Sequence, residues 1–226
     1  MTDIEKIKAS MQERNITTLY HFTYSANLPY ILDYNEEYNG IQSINKLKEM
    51  KTVDANITDS NRYDGHRDYI CCSLSRPNKY YFKVAKKRNS KKVFTDWVVM
   101  SIEADIINET TKYCPTNAAT GGGKYIGSGF EAFEEMFKDK IEIPNKPTVY
   151  RSKNEKPKNT TDYQAEILIK DKIPIDKIKG IYFDARSVEM EYYRLQLWVN
   201  ENLMKRLKFG KYSIDNETYD LKFDVL

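Results

Sequence analysis

The chain has 226 residues, 31% of them charged, with 36 Lys and Arg against 33 Asp and Glu for a net charge of +3. That length fits one domain, read as residues 1–226, with room for a proper core, and the near-balance of charge means that any affinity for nucleic acid must be local. No apolar run approaches the roughly 20 residues of a membrane span, no basic-then-apolar leader opens the sequence, and three cysteines with two histidines argue for reduced thiols in a cytoplasm and against zinc.

Residues 3–14 predict a polar helix with Asp3 as its cap. Thr17 to Phe22 reads as a strand, and Ala26, Leu28, Ile31 and Leu32 mark one face of a short helix. Residues 34–66 are rich in Asn, Asp, Tyr and Lys with little periodicity. They predict a long, partly helical surface loop of the kind that is usually functional or disordered. Asp68 to Leu74 is a second strand, in which Cys71 and Cys72 face opposite ways and cannot share a metal. Pro77 opens the first turn of a helix through Tyr80, Tyr81 and Val84. Phe94 to Ile102, around Trp97-Val98-Val99-Met100, reads as a buried strand.

Residues 108–128 predict a loop, Phe130 to Phe137 a short amphipathic helix, and 144–162 a second loop with Pro, Lys and Asn. Tyr163 to Ile169 and Ile178 to Phe183 read as strands. Ser187 to Lys208 predicts one long amphipathic helix stopped by Gly210, and Tyr219 to Val225 alternates as a last strand. The balance is α+β.

Glu166 is the informative residue in this pattern. It sits in Tyr163-Gln164-Ala165-Glu166-Ile167-Leu168-Ile169, a run rich in branched aliphatics where a carboxylate is costly unless something pairs with it or uses it. Ala165, Ile167 and Ile169 share an apolar face, so Gln164 and Glu166 project together from the other. A solvent-facing edge explains that equally well until other segments are weighed. Taken singly, His21 reads as a satisfied structural histidine and Arg62 as a surface arginine.

Together, His21-x-Thr23 early, Arg62 in the middle and Glu166 on a late strand resemble the DarT family, NAD-dependent ADP-ribosyltransferase toxins that modify nucleic-acid bases. The matching text is Leu19-Tyr20-His21-Phe22-Thr23 with Asn27-Leu28-Pro29-Tyr30, then Arg62-Tyr63-Asp64-Gly65 with Asp68-Tyr69-Ile70. It continues through Pro77-Asn78 and Tyr80-Tyr81 to Gln164-Ala165-Glu166 and Ile173-Pro174. The resemblance implies an ADP-ribosyltransferase-like fold, two small packed sheets around an NAD cleft with flanking helices. It implies NAD as co-substrate and no metal. Glu166 and Arg62 become the catalytic residues, and His21, Thr23, Asn27, Arg62, Asn78 and Tyr81 the NAD-binding set. Arg67 lies close enough to compete with Arg62, and Cys71-Cys72-Ser73-Leu74 departs from relatives' aromatic pattern, which leaves the target base open.

The acceptor implied is single-stranded DNA, in a toxin–antitoxin or phage-defence setting with a separate antitoxin. Transfer to RNA, simple NAD hydrolysis and a non-enzymatic binding module on the same fold are the alternatives. The loop before the Glu166 strand, with Tyr150, Arg151, Lys153 and Lys156, and then Tyr163, predicts the polymer site, with aromatics for bases and cations for phosphates. A second basic cluster, Lys83 to Lys92, reads at least as well as a solvated helix end. Gly121-Gly122-Gly123-Lys124 is not a phosphate loop, because Ala118 stands at the first glycine position and Tyr125 replaces Ser or Thr. It predicts a flexible loop beside the substrate.

Overall fold

The computed structural model describes residues 1–32, 39–50, 62–88 and 96–226, residue 88 by its backbone alone. The first half runs α1 (Asp3–Glu13), β1 (Thr18–Tyr24), α2 (Leu28–Leu32), β2 (Ile41–Gln42), α3 (Ile44–Glu49), β3 (Tyr69–Leu74), α4 (Lys79–Arg88) and β4 (Trp97–Glu103). Then come β5 (Lys112–Cys114), β6 (Gly127–Ser128), α5 (Gly129–Glu135), β7 (Lys140–Ile141) and β8 (Val149–Tyr150). The chain ends with β9 (Glu166–Lys170), β10 (Lys172–Ile173), β11 (Ile178–Asp184), α6 (Val188–Gln196), α7 (Glu201–Arg206), β12 (Lys208–Ile214) and β13 (Leu221–Val225).

Nine strands form a sheet in the order β13-β12-β11-β4-β1-β3-β9-β5-β6. The two separate sheets expected from the sequence are instead two halves of this one. β1 pairs with β4 along its whole length, and β3 pairs with β9 over four residues. Between β1 and β3 the described register holds only Leu19 with Leu74 and Tyr20 with Ser73. Past that seam the strands part, and the gap between them is the cleft.

Period-two alternation builds the layers on either side. Ile70, Cys72 and Leu74 of β3 and Ile167 and Ile169 of β9 join Leu19, Val98 and Met100 in the main core. On the other face Tyr24, Phe82, Trp97 and Tyr212 close an aromatic cluster, with Phe22 packed against it. A third, small cluster of Tyr69, Cys114, Ala118 and Leu168 lies on the face of β9 that carries Glu166, so the strand is buried on both sides.

Several boundaries differ from expectation for local reasons. Thr2, not Asp3, caps α1: its hydroxyl accepts from the Glu5 N–H, while Glu5 reaches back to the Thr2 N–H, the reciprocal arrangement of a capping box. The single helix over 187–208 is two. Asn200 caps a fresh start by accepting from the Asn202 N–H at 2.9 Å, and Gly210 lies inside β12 instead of ending a helix. The 108–128 loop contains the ladder of β5 with β9 and β6. The strand expected from Tyr163 starts later, so that Glu166 is the first residue of β9. Of the 34–66 loop, residues 34–38 and 51–61 lie outside the described residues, and the rest includes β2 and α3.

Candidate active site

His21, Thr23, Asn27, Arg62, Asn78, Tyr81 and Glu166 all line one cleft at the parting of β1 and β3, together with Asp64, Cys71 and Ala118. The non-atom space in it is about 1300 Å³, counting open solvent at its mouth. Arg67 does not line it.

Glu166 stands on the cleft floor, only 7% exposed. Its Oε2 accepts the Ala118 N–H at 2.7 Å, a charge-assisted bond of the strong class. Around it three thiols are held neutral. Burial pushes the Cys71 thiol well up, with Glu166 adding to it; Cys72 rises for the same two reasons. Burial likewise drives Cys114 to about 12, again with a contribution from Glu166. None of these cysteines is a nucleophile in this state.

Arg62 is buried and carries a backbone φ of 39°. Its Nε reaches both Asp64 carboxylate oxygens at 3.1 Å, its Nη2 donates to Asp64 Oδ2 at 2.8 Å, and its Nη1 donates to the Tyr69 carbonyl. Asp64 also accepts the His66 N–H at 2.8 Å. Burial works against the Arg62 charge, but Cys71, Asp64 and Glu166 outweigh it and raise its pKa. The flat side of the guanidinium is thus committed to Asp64, and the N–H groups left over are the outer ones of Nη1 and Nη2. Asp64 is not among the residues expected at the site from the sequence, although a carboxylate two residues from Arg62 is a signal for an ion pair.

In the loop 121–123 the third glycine lies close against the backbone of Asp64. All three glycines have positive φ, and a Cβ on Gly123 would collide with the Asp64 carbonyl oxygen. Only glycine supports that approach.

His21 has a defined tautomer. Its Nδ1 lies 2.9 Å from the Cys71 carbonyl oxygen, which can only accept, so Nδ1 carries the proton. Burial lowers the His21 pKa, and the Arg62 charge lowers it further against the pull of that hydrogen bond. The imidazole is neutral, with Nε2 an acceptor. Where β1 has left β3, this ring replaces the missing backbone partner of Cys71. Nearby, Asn27 Nδ2 donates to Thr23 Oγ1 at 2.8 Å, fixing the pair as a unit.

Asn78 caps α4. Its Oδ1 accepts the Tyr81 N–H at 3.0 Å, which orients the amide and leaves Nδ2 buried without a partner among the described residues. An unsatisfied buried donor on a cleft wall costs free energy, and it is a ready handle for a ligand oxygen. Tyr81 lines the cleft and packs on Phe22 at 5.9 Å, while Tyr80 is exposed and points away.

The polymer-binding residues expected from the sequence scatter. Tyr150 is 72% exposed and does not line the cleft; Lys153 and Lys156 are exposed on the same loop. Arg151 braces that loop instead, donating to the Asn159 and Lys156 carbonyls and to Thr161 Oγ1. Tyr163 is covered: the Arg76 guanidinium lies 3.6 Å from its ring centre and Lys79 4.3 Å, and its hydroxyl donates to Asp220. Arg76 also binds Glu155 and the Thr160 carbonyl, and Lys79 binds Asp220 and the Thr218 carbonyl. In the Lys83–Lys92 cluster, Lys83 sits over Tyr219 and Lys86 bonds Asp184; Lys91 and Lys92 lie outside the described residues.

Among the described residues no group of three or more His, Cys, Asp or Glu is placed to hold a metal, and no helix is long and apolar enough to cross a membrane.

Comparison with known proteins gives the following. Residues 20–198 match the family model "DarT: ssDNA thymidine ADP-ribosyltransferase, DarT". In fold, the chain is similar to Thermosipho africanus DarTG in complex with ADP-ribose, with a TM-score of 0.52 and 13% identity over 82% of this chain and 48% of that one. It is also similar to Thermus sp. 2.9 DarT in complex with ADP-ribosylated ssDNA, with a TM-score of 0.51 and 12% identity over 80% of this chain and 88% of that one. The chain therefore spans about half the length of the DarTG protein it matches. Among curated proteins no sequence matches it.

Proposed function

The chain belongs to the DarT family, whose members are ssDNA thymidine ADP-ribosyltransferases, and on that premise we propose that its cleft binds NAD and passes the ADP-ribosyl group to thymidine in single-stranded DNA. The observation that carries this reading is the buried Glu166 carboxylate beside Arg62 on the floor of a cleft that His21, Thr23, Asn27 and Asn78 also line.

In the reaction the bond between nicotinamide and ribose breaks, and nicotinamide leaves with the electron pair. A ring atom of the base then bonds the ribose carbon and gives up its proton. Positive charge grows on the ribose as in glycoside cleavage, and a fixed carboxylate attracts that charge most in the transition state. Glu166, held by the Ala118 N–H, supplies it and accepts from a ribose hydroxyl. His21 Nε2 and Asn78 Nδ2, an acceptor and a donor, hold polar groups of the nicotinamide half. Thr23 and Asn27 close that end, and Tyr81 packs along it. Arg62 keeps its outer N–H groups for the phosphates, while Asp64 fixes its plane.

Tyr150, Lys153 and Lys156 form an outer track for the DNA backbone. A base must leave the stack to react, which single-stranded substrate makes cheap. We also propose a cognate antitoxin, and work in the compartment that holds the DNA.

The test is incubation of the protein with labelled NAD and matched thymidine-containing ssDNA and uridine-containing RNA, with Glu166→Gln in parallel. Label on ssDNA, reduced about 10²–10³-fold in Glu166→Gln with NAD binding retained, supports the reading. Label on RNA alone changes the acceptor. Nicotinamide release without labelled polymer makes the protein a hydrolase, and no reaction at all makes it a binding module.

A further inference from the structure

The polymer-binding residues expected from the sequence do not reach the cleft, so the acceptor base must be held by something else. Among the described residues' exposed large hydrophobic side chains, Tyr63 alone lines the cleft, at 69% exposure. Its neighbours on both sides face inward and are pinned: Arg62 and Asp64 are 8% and 5% exposed and bonded to each other. A hydrogen bond from the Gly65 N–H to the Arg62 carbonyl at 3.0 Å closes the turn beneath it. Tyr63 is therefore a ring presented at the cleft mouth on a fixed backbone. The glycine loop runs alongside: a Cβ on Gly122 would lie 3.9 Å from the Tyr63 carbonyl oxygen. That loop bears the exposed Lys124, and the exposed Lys146 joins it by donating to Thr120 Oγ1 at 2.8 Å.

We infer that Tyr63 is the platform on which the acceptor nucleobase stacks, with Lys124 and Lys146 taking the flanking phosphates. This rests on the proposed function and deepens it by locating the acceptor subsite. A π-face accepts any base and a cation any phosphate, the combination that single-stranded nucleic acid requires. A rigid aromatic loses little freedom on binding, so the turn's pinning favours capture of a base that is already unstacked. The ring lies one residue from Arg62, so the stacked base stands at the entrance to the reacting ribose and not along the outer loop.

The experiment compares wild type, Tyr63→Ala, Tyr63→Phe and Tyr63→Trp. It reads KM and kcat for ssDNA in ADP-ribose transfer, direct affinity for a fluorescent thymidine-containing ssDNA, and affinity for NAD alone by calorimetry. Tyr63→Ala is expected to weaken ssDNA binding and raise its KM by roughly 5- to 150-fold, with NAD affinity little changed; Phe and Trp restore the ssDNA affinity. Tyr63→Ala with wild-type affinity and KM overturns the inference. So does a Phe variant as defective as Ala, which would assign the effect to the hydroxyl. A wild type that binds ssDNA but transfers nothing would defeat the proposed function, while the binding series still decides on Tyr63.

Discussion

Two clusters in this molecule are made of the same materials and end in opposite states. Around Tyr163, an arginine, a lysine, two carboxylates and an aromatic ring close on one another: Arg76 and Lys79 cover the ring and Asp220 takes its hydroxyl. Arg76 Nε is the group there left without a partner among the described residues. In the cleft, Arg62, Asp64 and Glu166 are more deeply buried and also paired, but they line open space together with His21 and with Asn78, whose Nδ2 has no partner among the described residues. The residue types are shared. What separates a brace from a site is whether the polar groups find their partners in the protein or await them from outside.

The sharpest way to break that contrast is at Asp64. Asp64→Ala leaves the Arg62 charge buried and unpaired, which costs about 3–5 kcal/mol; denaturant unfolding reads it, and transfer should fall with it. A loss below about 1 kcal/mol would mean that the ion pair does not hold the site. Arg76→Ala comes next. It removes hydrogen bonds and a ring contact from a partly exposed brace, about 1–2 kcal/mol, with transfer per folded molecule kept. Lost transfer in a folded Arg76→Ala protein would make the two clusters one.

The smallest effect is on pH dependence. The folded His21 resists protonation, so its pKa lies below the unfolded value. The unfolded chain then binds more protons as pH falls through about 6.5. Its contribution to stability is full above that pH and declines below it until the folded pKa is reached, by at most ~1.4 kcal/mol per pH unit. His21→Gln should flatten this part of the stability–pH profile; an unchanged slope would place the titration elsewhere.

The strand positions were legible because period-two alternation survives burial: β1, β3, β4, β9 and β11 lie where the pattern put them. Glu166 was legible for the reverse reason, as a charge that breaks an apolar run. The break between α6 and α7 was not, because an amphipathic stripe continues across it and the capping of Asn200 is a local event. Nor was the fate of Tyr163 and Arg151, since their partners Asp220 and Asn159 are chosen by tertiary approach. The pattern of polar letters along the chain is the same for a brace and for a binding loop.

The seam between β1 and β3 has a consequence of another kind. Beyond Tyr20 and Ser73 two sheet edges face each other inside the domain, and an edge invites any extended segment to pair with it. The His21 ring occupies that position, seated on the Cys71 carbonyl. The histidine is therefore also a guard against strand invasion, filling the place where a stray piece of polypeptide would pair.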